Sequence, residues 1–215
     1  FPSPNESIMR SVKVVGDRIY TGCYMEFGYW VRDGQGMLRY TSLSADMQED
    51  LLEDEEFWGI FNLEDWIVFQ SLKRIYIYNI QTESINSIDT DDTLFRMFKV
   101  SNEIYFQENG KGVFKIDNGK SKLVYDDEVV LTDEIINIFQ EDEELYMLTK
   151  HNGFYRGNNG VLDKFPTGLD DLPKKITVYS AIRLNDGSYA LGTISNGLVL
   201  LDADGALLNH IDQIK

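Results

Sequence analysis

The side chains able to do acid, base, nucleophilic or metal chemistry are few and scattered: two histidines, His151 and His210, one cysteine, Cys23, and several runs of carboxylates. Nucleophilic catalysis needs a hydroxyl or thiol beside a base that a third group orients. Neither histidine has such a neighbour in sequence. Metal binding needs several His, Cys or carboxylate ligands at recurrent spacing, and no such spacing is present, so no metal and no cofactor is expected. The clusters Glu53–Glu56 and Glu141–Glu144 could supply the carboxylate pair of a glycosidase, two groups roughly 5 to 9 Å apart. The second occupies a tight turn, where acidic residues are ordinary turn formers. Asp202-Ala203-Asp204-Gly205 opens like a calcium loop, but the place of the bidentate Glu falls on Gln213, so it reads as an Asp-Gly turn.

One stretch stands apart. Tyr24, Met25, Glu26, Phe27, Tyr29 and Trp30 crowd seven positions. Aromatic rings beside a carboxylate can hold a sugar ring by stacking and hydrogen bonding, although large aromatics also fill cores. Trp58 and Trp66 carry the same ambiguity. Tyr24, Glu26, Phe27, Tyr29 and Trp30, with His151 from a corresponding loop, are the candidate ligand-binding residues.

The 215 residues are 43% hydrophobic and carry a net charge of −16. That length can bury about 70% of the unfolded surface, and a single array spanning 1–215 is the economical domain reading. The negative charge argues against nucleic acid and anionic membrane surfaces, whose phosphates it repels over a Debye length of roughly 8 Å. One cysteine excludes an internal disulfide. No apolar run is long enough to span a bilayer, so any membrane attachment is expected through parts outside this segment.

The elements that position these residues are legible as repeats. Ile19, Ile67, Ile104, Leu145 and Tyr189 fall in register at intervals of 48, 37, 41 and 44 residues, the length of one four-stranded blade. Seven positions earlier stand Val12, Ile60, Met97, Ile138 and Ile182, expected as a buried strand position. A hairpin turn at Asp17, Asp65, Asn102, Glu143 and Gly187 separates the two sets. Glycines at 28, 112, 153 and 197 open a third apolar run, and Gly36, Gly119, Gly160 and Gly205 close a second turn. Each unit reads as a meander of strands A to D, with repeats at approximately 7–45, 56–89, 93–126, 134–166 and 176–212.

The B strands are apolar at adjacent positions, as in Ile67-Val68-Phe69 and Leu145-Tyr146-Met147, so both faces must be covered. Radially packed blades satisfy that pattern and a two-layer sandwich does not. Runs of four to six residues rich in Ile, Val, Tyr and Phe are strands, not the helices of a solenoid. The expected fold is therefore an all-β propeller of four-stranded antiparallel blades. The strand phase leaves no spare strand for a blade shared between termini, so these five repeats are expected to belong to a larger ring of the seven-bladed type.

In such a meander the D-to-A connections and the B-to-C loops share one end. Asp46, Glu49, Asp50 and Glu53–Glu56 fall in the first D-to-A connection, Asp89, Asp91 and Asp92 in the second, and Asp126, Asp127, Glu128, Asp133 and Glu134 in the third. A strongly acidic end is expected, tolerant of neutral sugars, cationic ligands or a basic protein surface.

The segments RSVKVVGDRIYTGCYMEFGYW, YTSLS and FWGIFNLEDWIVFQSLKRIYIYN closely resemble the two-component-regulator propeller repeats of bacterial membrane-spanning sensors, especially the triple-tyrosine, LuxR-type subgroup. The resemblance runs from about Ser7 to Asp212 and is weakest in the third repeat. It implies a periplasmic, non-catalytic input module for an oligosaccharide or other small molecule, a homodimer in the intact sensor, and a histidine kinase or DNA-binding output outside this chain. A scaffold that docks a partner protein and a glycan-cleaving enzyme are the alternatives.

Overall fold

The computed structural model describes residues 3–90, 93–172 and 175–212. Asp91, Asp92 and Gln213 lie outside the described residues. Among the described residues twenty strands form five four-stranded antiparallel sheets. The first comprises β1 (Ser11–Val15), β2 (Arg18–Gly22), β3 (Phe27–Arg32) and β4 (Leu38–Ser42), the second β5 (Gly59–Leu63), β6 (Trp66–Gln70), β7 (Arg74–Asn79) and β8 (Ile85–Asp89). The third holds β9 (Leu94–Val100), β10 (Glu103–Glu108), β11 (Gly112–Asp117) and β12 (Lys120–Tyr125). The fourth is built from β13 (Ile135–Glu141), β14 (Glu144–Thr149), β15 (Gly153–Asn158) and β16 (Val161–Phe165). β17 (Val178–Arg183), β18 (Tyr189–Thr193), β19 (Leu198–Leu201) and β20 (Leu207–Ile211) make the fifth. In every sheet the strands lie in chain order, the meander the sequence implies.

Contacts divide the chain into two compact units, Phe1–Met97 with Asp117–Ser121, and Phe98–Ile116 with Lys122–Lys215. In the first unit the core is aromatic. Phe27 of β3 is fully buried, with ring centroids 4.7 Å from Phe57, 4.6 Å from Phe69 and 5.2 Å from Tyr76. Burying one such ring stabilises by roughly 1.5–3 kcal/mol. Both faces of the second sheet's inner strands are covered: Ile75, Tyr76, Ile77 and Tyr78 are consecutive and all buried, as the doubly apolar pattern requires. In the second unit one cluster joins Ile138 and Met147 of the fourth sheet to Tyr105 and Val113 of the third. Another joins Phe139, Tyr146 and Phe154 to Ala181, Tyr189, Leu191 and Val199 of the fifth.

Glycine opens the C strands for a steric reason. Gly112 and Gly197 have φ of +112° and +69°, and a Cβ there would lie 2.2 Å from the Tyr125 carbonyl oxygen and 1.9 Å from that of Ile211. Only glycine permits both the backbone angle and the approach of strand D.

Two of the expected buried positions are corrected. Val12 keeps its register opposite Thr21 but is 55% exposed, because its face of β1 is left uncovered. Ile182 was expected to share the buried position of Ile60 and Ile138, yet it is 58% exposed, and Ala181 takes that place opposite Leu191. The cause is turn length. Two residues separate the paired ends Val15 and Arg18, Leu63 and Trp66, and Glu141 and Glu144, whereas five lie between Arg183 and Tyr189. The count back from the B strand therefore slips by one residue, and a slip of one exchanges the two faces of a strand.

Candidate functional site: the loop end of the first two sheets

The β2–β3 loop and the β4–β5 connection meet by backbone pairing. Cys23 N donates to Glu26 O at 2.8 Å, closing a turn over Tyr24 and Met25, and Met25 takes a φ of +52°. Met25 N then donates to Glu55 O at 2.7 Å, Phe57 N to Cys23 O at 3.3 Å, and Tyr24 bridges to Glu56. The two segments thus share one end of the sheets, as a meander requires.

A buried carboxylate ties this end to the next sheet. Glu55 accepts from Ser71 Oγ at 2.5 Å, from the Tyr76 hydroxyl at 2.8 Å and from Leu52 N at 3.0 Å. Burial, reinforced by Glu55, pushes the Tyr76 phenol well up from its ordinary value. Glu55 is therefore not part of a solvated acidic face. Two of its neighbours are also engaged: Glu56 accepts from Arg10 Nε and Nη2 at 3.0 and 2.7 Å, and Asp54 accepts from the Tyr24 hydroxyl. That hydrogen bond to Asp54 pushes the Tyr24 phenol up.

Between Leu52–Glu56 and Ser71–Lys73 lies a groove of about 350 Å³. Leu72 lies on its wall and is exposed; exposed Tyr24 is hydrogen-bonded to Asp54 of the lining, and exposed Trp58 is joined to Glu56 of the lining through Arg10, whose guanidinium lies 4.5 Å from the indole centre. An exposed indole, a phenol and the Glu53 carboxylate at this loop end can stack a planar or ring-shaped group and accept its hydrogen bonds.

The structure separates the residues expected to bind together. Glu26 accepts from the Tyr40 hydroxyl and Ser42 Oγ, both at 2.7 Å, and so braces its own sheet. Phe27 is core. Tyr29 lies under the Arg18 guanidinium, 4.4 Å away, and lines a different cleft of about 380 Å³ with Thr41, Met47, Tyr78 and Ile85. Trp30, the next residue along β3, points to the opposite face and packs 4.9 Å from Tyr40. Of these five, Tyr24 alone is tied to the groove, through its hydrogen bond to Asp54. Sequence reasoning left Trp58 between core and site, and it passed over Arg10 and Leu72. The available signal was the position of Trp58 at the end of the acidic run, just before β5.

His151 belongs to the second unit, where the same construction recurs. Buried Asp133, from the β12–β13 connection, accepts from His151 N at 2.9 Å, from Asn152 Nδ2 at 2.8 Å and from His151 Nδ1 at 2.9 Å. Burial alone would raise the Asp133 carboxyl, but the hydrogen bonds from His151 and Thr149 outweigh it and hold the group below its ordinary value. With Nδ1 donating to the carboxylate, Nε2 is left to the solvent side. The ring borders a small cavity of about 230 Å³ with Leu169, Asp170 and Ile176. Elsewhere in this unit, Glu141 pairs with Arg183 and Glu144 with Arg156. Among the described residues no three His, Cys, Asp or Glu side chains converge as a metal site.

No protein-family model matches the sequence, and no curated protein sequence matches it. Solved structures do match. The WD40 β-propeller domain of Doa1 superposes with a TM-score of 0.63 over 98% of this chain and 70% of that one, at 11% identity. The five sheets are propeller blades. The extracellular domain of a protein described as a hybrid two-component system from B. thetaiotaomicron gives a TM-score of 0.65 at 14% identity, covering 99% of this chain and 28% of its own. The computationally designed Ika8 protein gives 0.63 at 13% identity over 97% of this chain and 63% of its own. This chain thus spans less than two thirds of the length of those last two. At such identities the likeness carries the fold and leaves the ligand to the blades' own loops.

Proposed function

We propose that these blades form a non-catalytic ligand-input module of an extracytoplasmic, periplasmic bacterial sensor, and that a carbohydrate or other small solute enters the groove between Leu52–Glu56 and Ser71–Lys73. The observation that carries this reading is Trp58: an indole 46% exposed, at the loop end of the first two blades, joined through Arg10 to Glu56 on the wall of a groove rimmed with hydrogen-bonding groups. Exposed tryptophan is uncommon away from recognition sites. The fold likeness to the extracellular part of a two-component system supports the setting. The sequence resemblance supports it independently, and with it the pairing of intact sensors as a homodimer. A solute that binds two arrangements of the dimer equally shifts nothing, so signalling requires unequal affinity for them.

One observation favours docking of a basic protein segment at the same groove. Arg10 lies over Trp58 and on Glu56, which is the contact an arginine of a partner would make. Glycan cleavage has less support, because Glu55, the buried carboxylate of the groove, is spent on Ser71 and Tyr76.

Calorimetry against neutral, acidic and basic oligosaccharides and an arginine-rich peptide separates these readings. A saturable signal with a neutral oligosaccharide, lost in Trp58→Ala, supports solute input. A signal with the peptide alone supports docking, and hydrolysis of any oligosaccharide overturns the non-catalytic reading.

A further inference from the structure

Arg18 has no counter-ion. Arg10, Arg39, Arg74, Arg156 and Arg183 each lie on a carboxylate, in a chain whose net charge is −16. Among the described residues no carboxylate lies within ion-pairing distance of Arg18, although its side chain is half-buried between the first two blades. The guanidinium stands 4.4 Å from the Tyr29 ring centre and donates from Nη1 to the Tyr78 hydroxyl at 3.4 Å. Arg18 follows the β1–β2 turn and Tyr78 precedes the β7–β8 turn, so the cluster lies at the end of the blades opposite the Trp58 groove.

Two phenols beside Arg18 have protons to give. The Tyr20 hydroxyl is fully buried and has no hydrogen-bond partner; Arg18 is near enough to act on it but outside hydrogen-bonding geometry. A buried hydroxyl left without an acceptor is costly, and a strut between blades has no use for it. The Tyr78 hydroxyl accepts from Arg18 and donates to no described group. Burial pushes both phenols up against the pull of Arg18, so both keep their protons at neutral pH. A guanidinium fork and two phenol donors therefore converge with no acceptor among them. Tyr29 and Tyr78 also line the cleft of about 380 Å³, with Met47 and Ile85 as apolar wall and exposed Asp46 and Glu83 as its charges. That volume suits a small molecule.

We propose that Arg18, Tyr20 and Tyr78 form a carboxylate-binding site, and that the cleft holds the body of a small monocarboxylate. A planar carboxylate matches the guanidinium fork, and its second oxygen takes the phenol protons. One negative charge balances one guanidinium. A phosphate ester carries nearly two, and Asp46 and Glu83 repel the excess.

Calorimetry at neutral pH and constant ionic strength tests this with sodium glucuronate, sodium acetate, glucose and inorganic phosphate. Saturable binding of glucuronate, displaced by acetate and absent with glucose, is the expected result. Tyr20→Phe removes only the unpartnered hydroxyl, so this variant is expected to melt no lower than the wild type while its Kd for glucuronate rises about tenfold. Arg18→Gln is expected to abolish binding. Arg32→Gln, which removes an exposed guanidinium elsewhere in the first blade, is expected to leave it unchanged. Should Arg18→Gln lose its wild-type circular dichroism, Tyr20→Phe decides. No binding of either carboxylate, tighter binding of phosphate, an unchanged Kd in Tyr20→Phe, or an equal loss in Arg32→Gln would each overturn the proposal.

Discussion

The carboxylate of Glu55 accepts the hydroxyl of Tyr76 at 2.8 Å in the interior of the first unit, so the most acidic stretch of the chain is pinned to the second blade by one of its own charges. Glu55→Ala leaves Ser71, Tyr76 and Leu52 N without their acceptor. The expected loss is about 2 kcal/mol, the range for hydrogen bonds to a charged group, read by urea denaturation. Glu53→Ala, at an exposed position of the same run, is expected to change stability by less than about 0.5 kcal/mol.

Asp133 makes the corresponding tie in the second unit, and its depressed carboxyl gives a signed prediction. Its contribution is complete above the ordinary carboxyl value of 3.8 and is lost as pH falls through the lower folded value. The wild type is therefore expected to lose stability below about pH 4 more steeply than Asp133→Asn, in thermal melts from pH 6 to pH 2. Equal slopes would show that the tie is not carried by the charge.

Glycine at the head of strand C is sterically required at Gly112 and Gly197, whereas Gly34 in a C-to-D turn is not. Gly112→Ala and Gly197→Ala place a Cβ against a carbonyl oxygen at a positive φ, and each is expected to destabilise by more than about 2 kcal/mol. Gly34→Ala, with open space around it, is expected to be neutral within about 0.5 kcal/mol. Denaturant midpoints of the three variants check this.

The aromatic residues of the first two blades separate into core and surface. Phe27→Ala is expected to cost about 3–5 kcal/mol, whereas Trp58→Ala removes an exposed ring and is expected to melt close to the wild type. The reverse order in a thermal scan would reassign both residues.

Architecture was legible because it rests on recurrence: doubly apolar B strands such as Ile67-Val68-Phe69, two-residue turns such as Asp142-Glu143, and glycines such as Gly112 all repeat. Ile182 was misplaced because the register depends on a turn length that the spacing conceals, and Val12 keeps its register but not its expected burial. The site was less legible. Tyr29 and Trp30 are neighbours in sequence but lie on opposite faces of β3, and the acidic run does not reveal that Glu55 turns inward while Glu53 stays in water. Glu55 meets Ser71 and Tyr76 only once the β4–β5 connection folds onto the second blade, and no local pattern encodes that meeting.

The groove beside Trp58 is the central claim, and the most direct measurement is tryptophan fluorescence of a Trp30→Phe, Trp66→Phe variant, in which Trp58 is the sole indole, titrated with the oligosaccharide panel. A saturable spectral shift with at least one neutral oligosaccharide, weakened in the further variant Leu72→Ala, is the expected result. Oligosaccharide binding by calorimetry that leaves the Trp58 spectrum unchanged would place the site elsewhere and contradict the account.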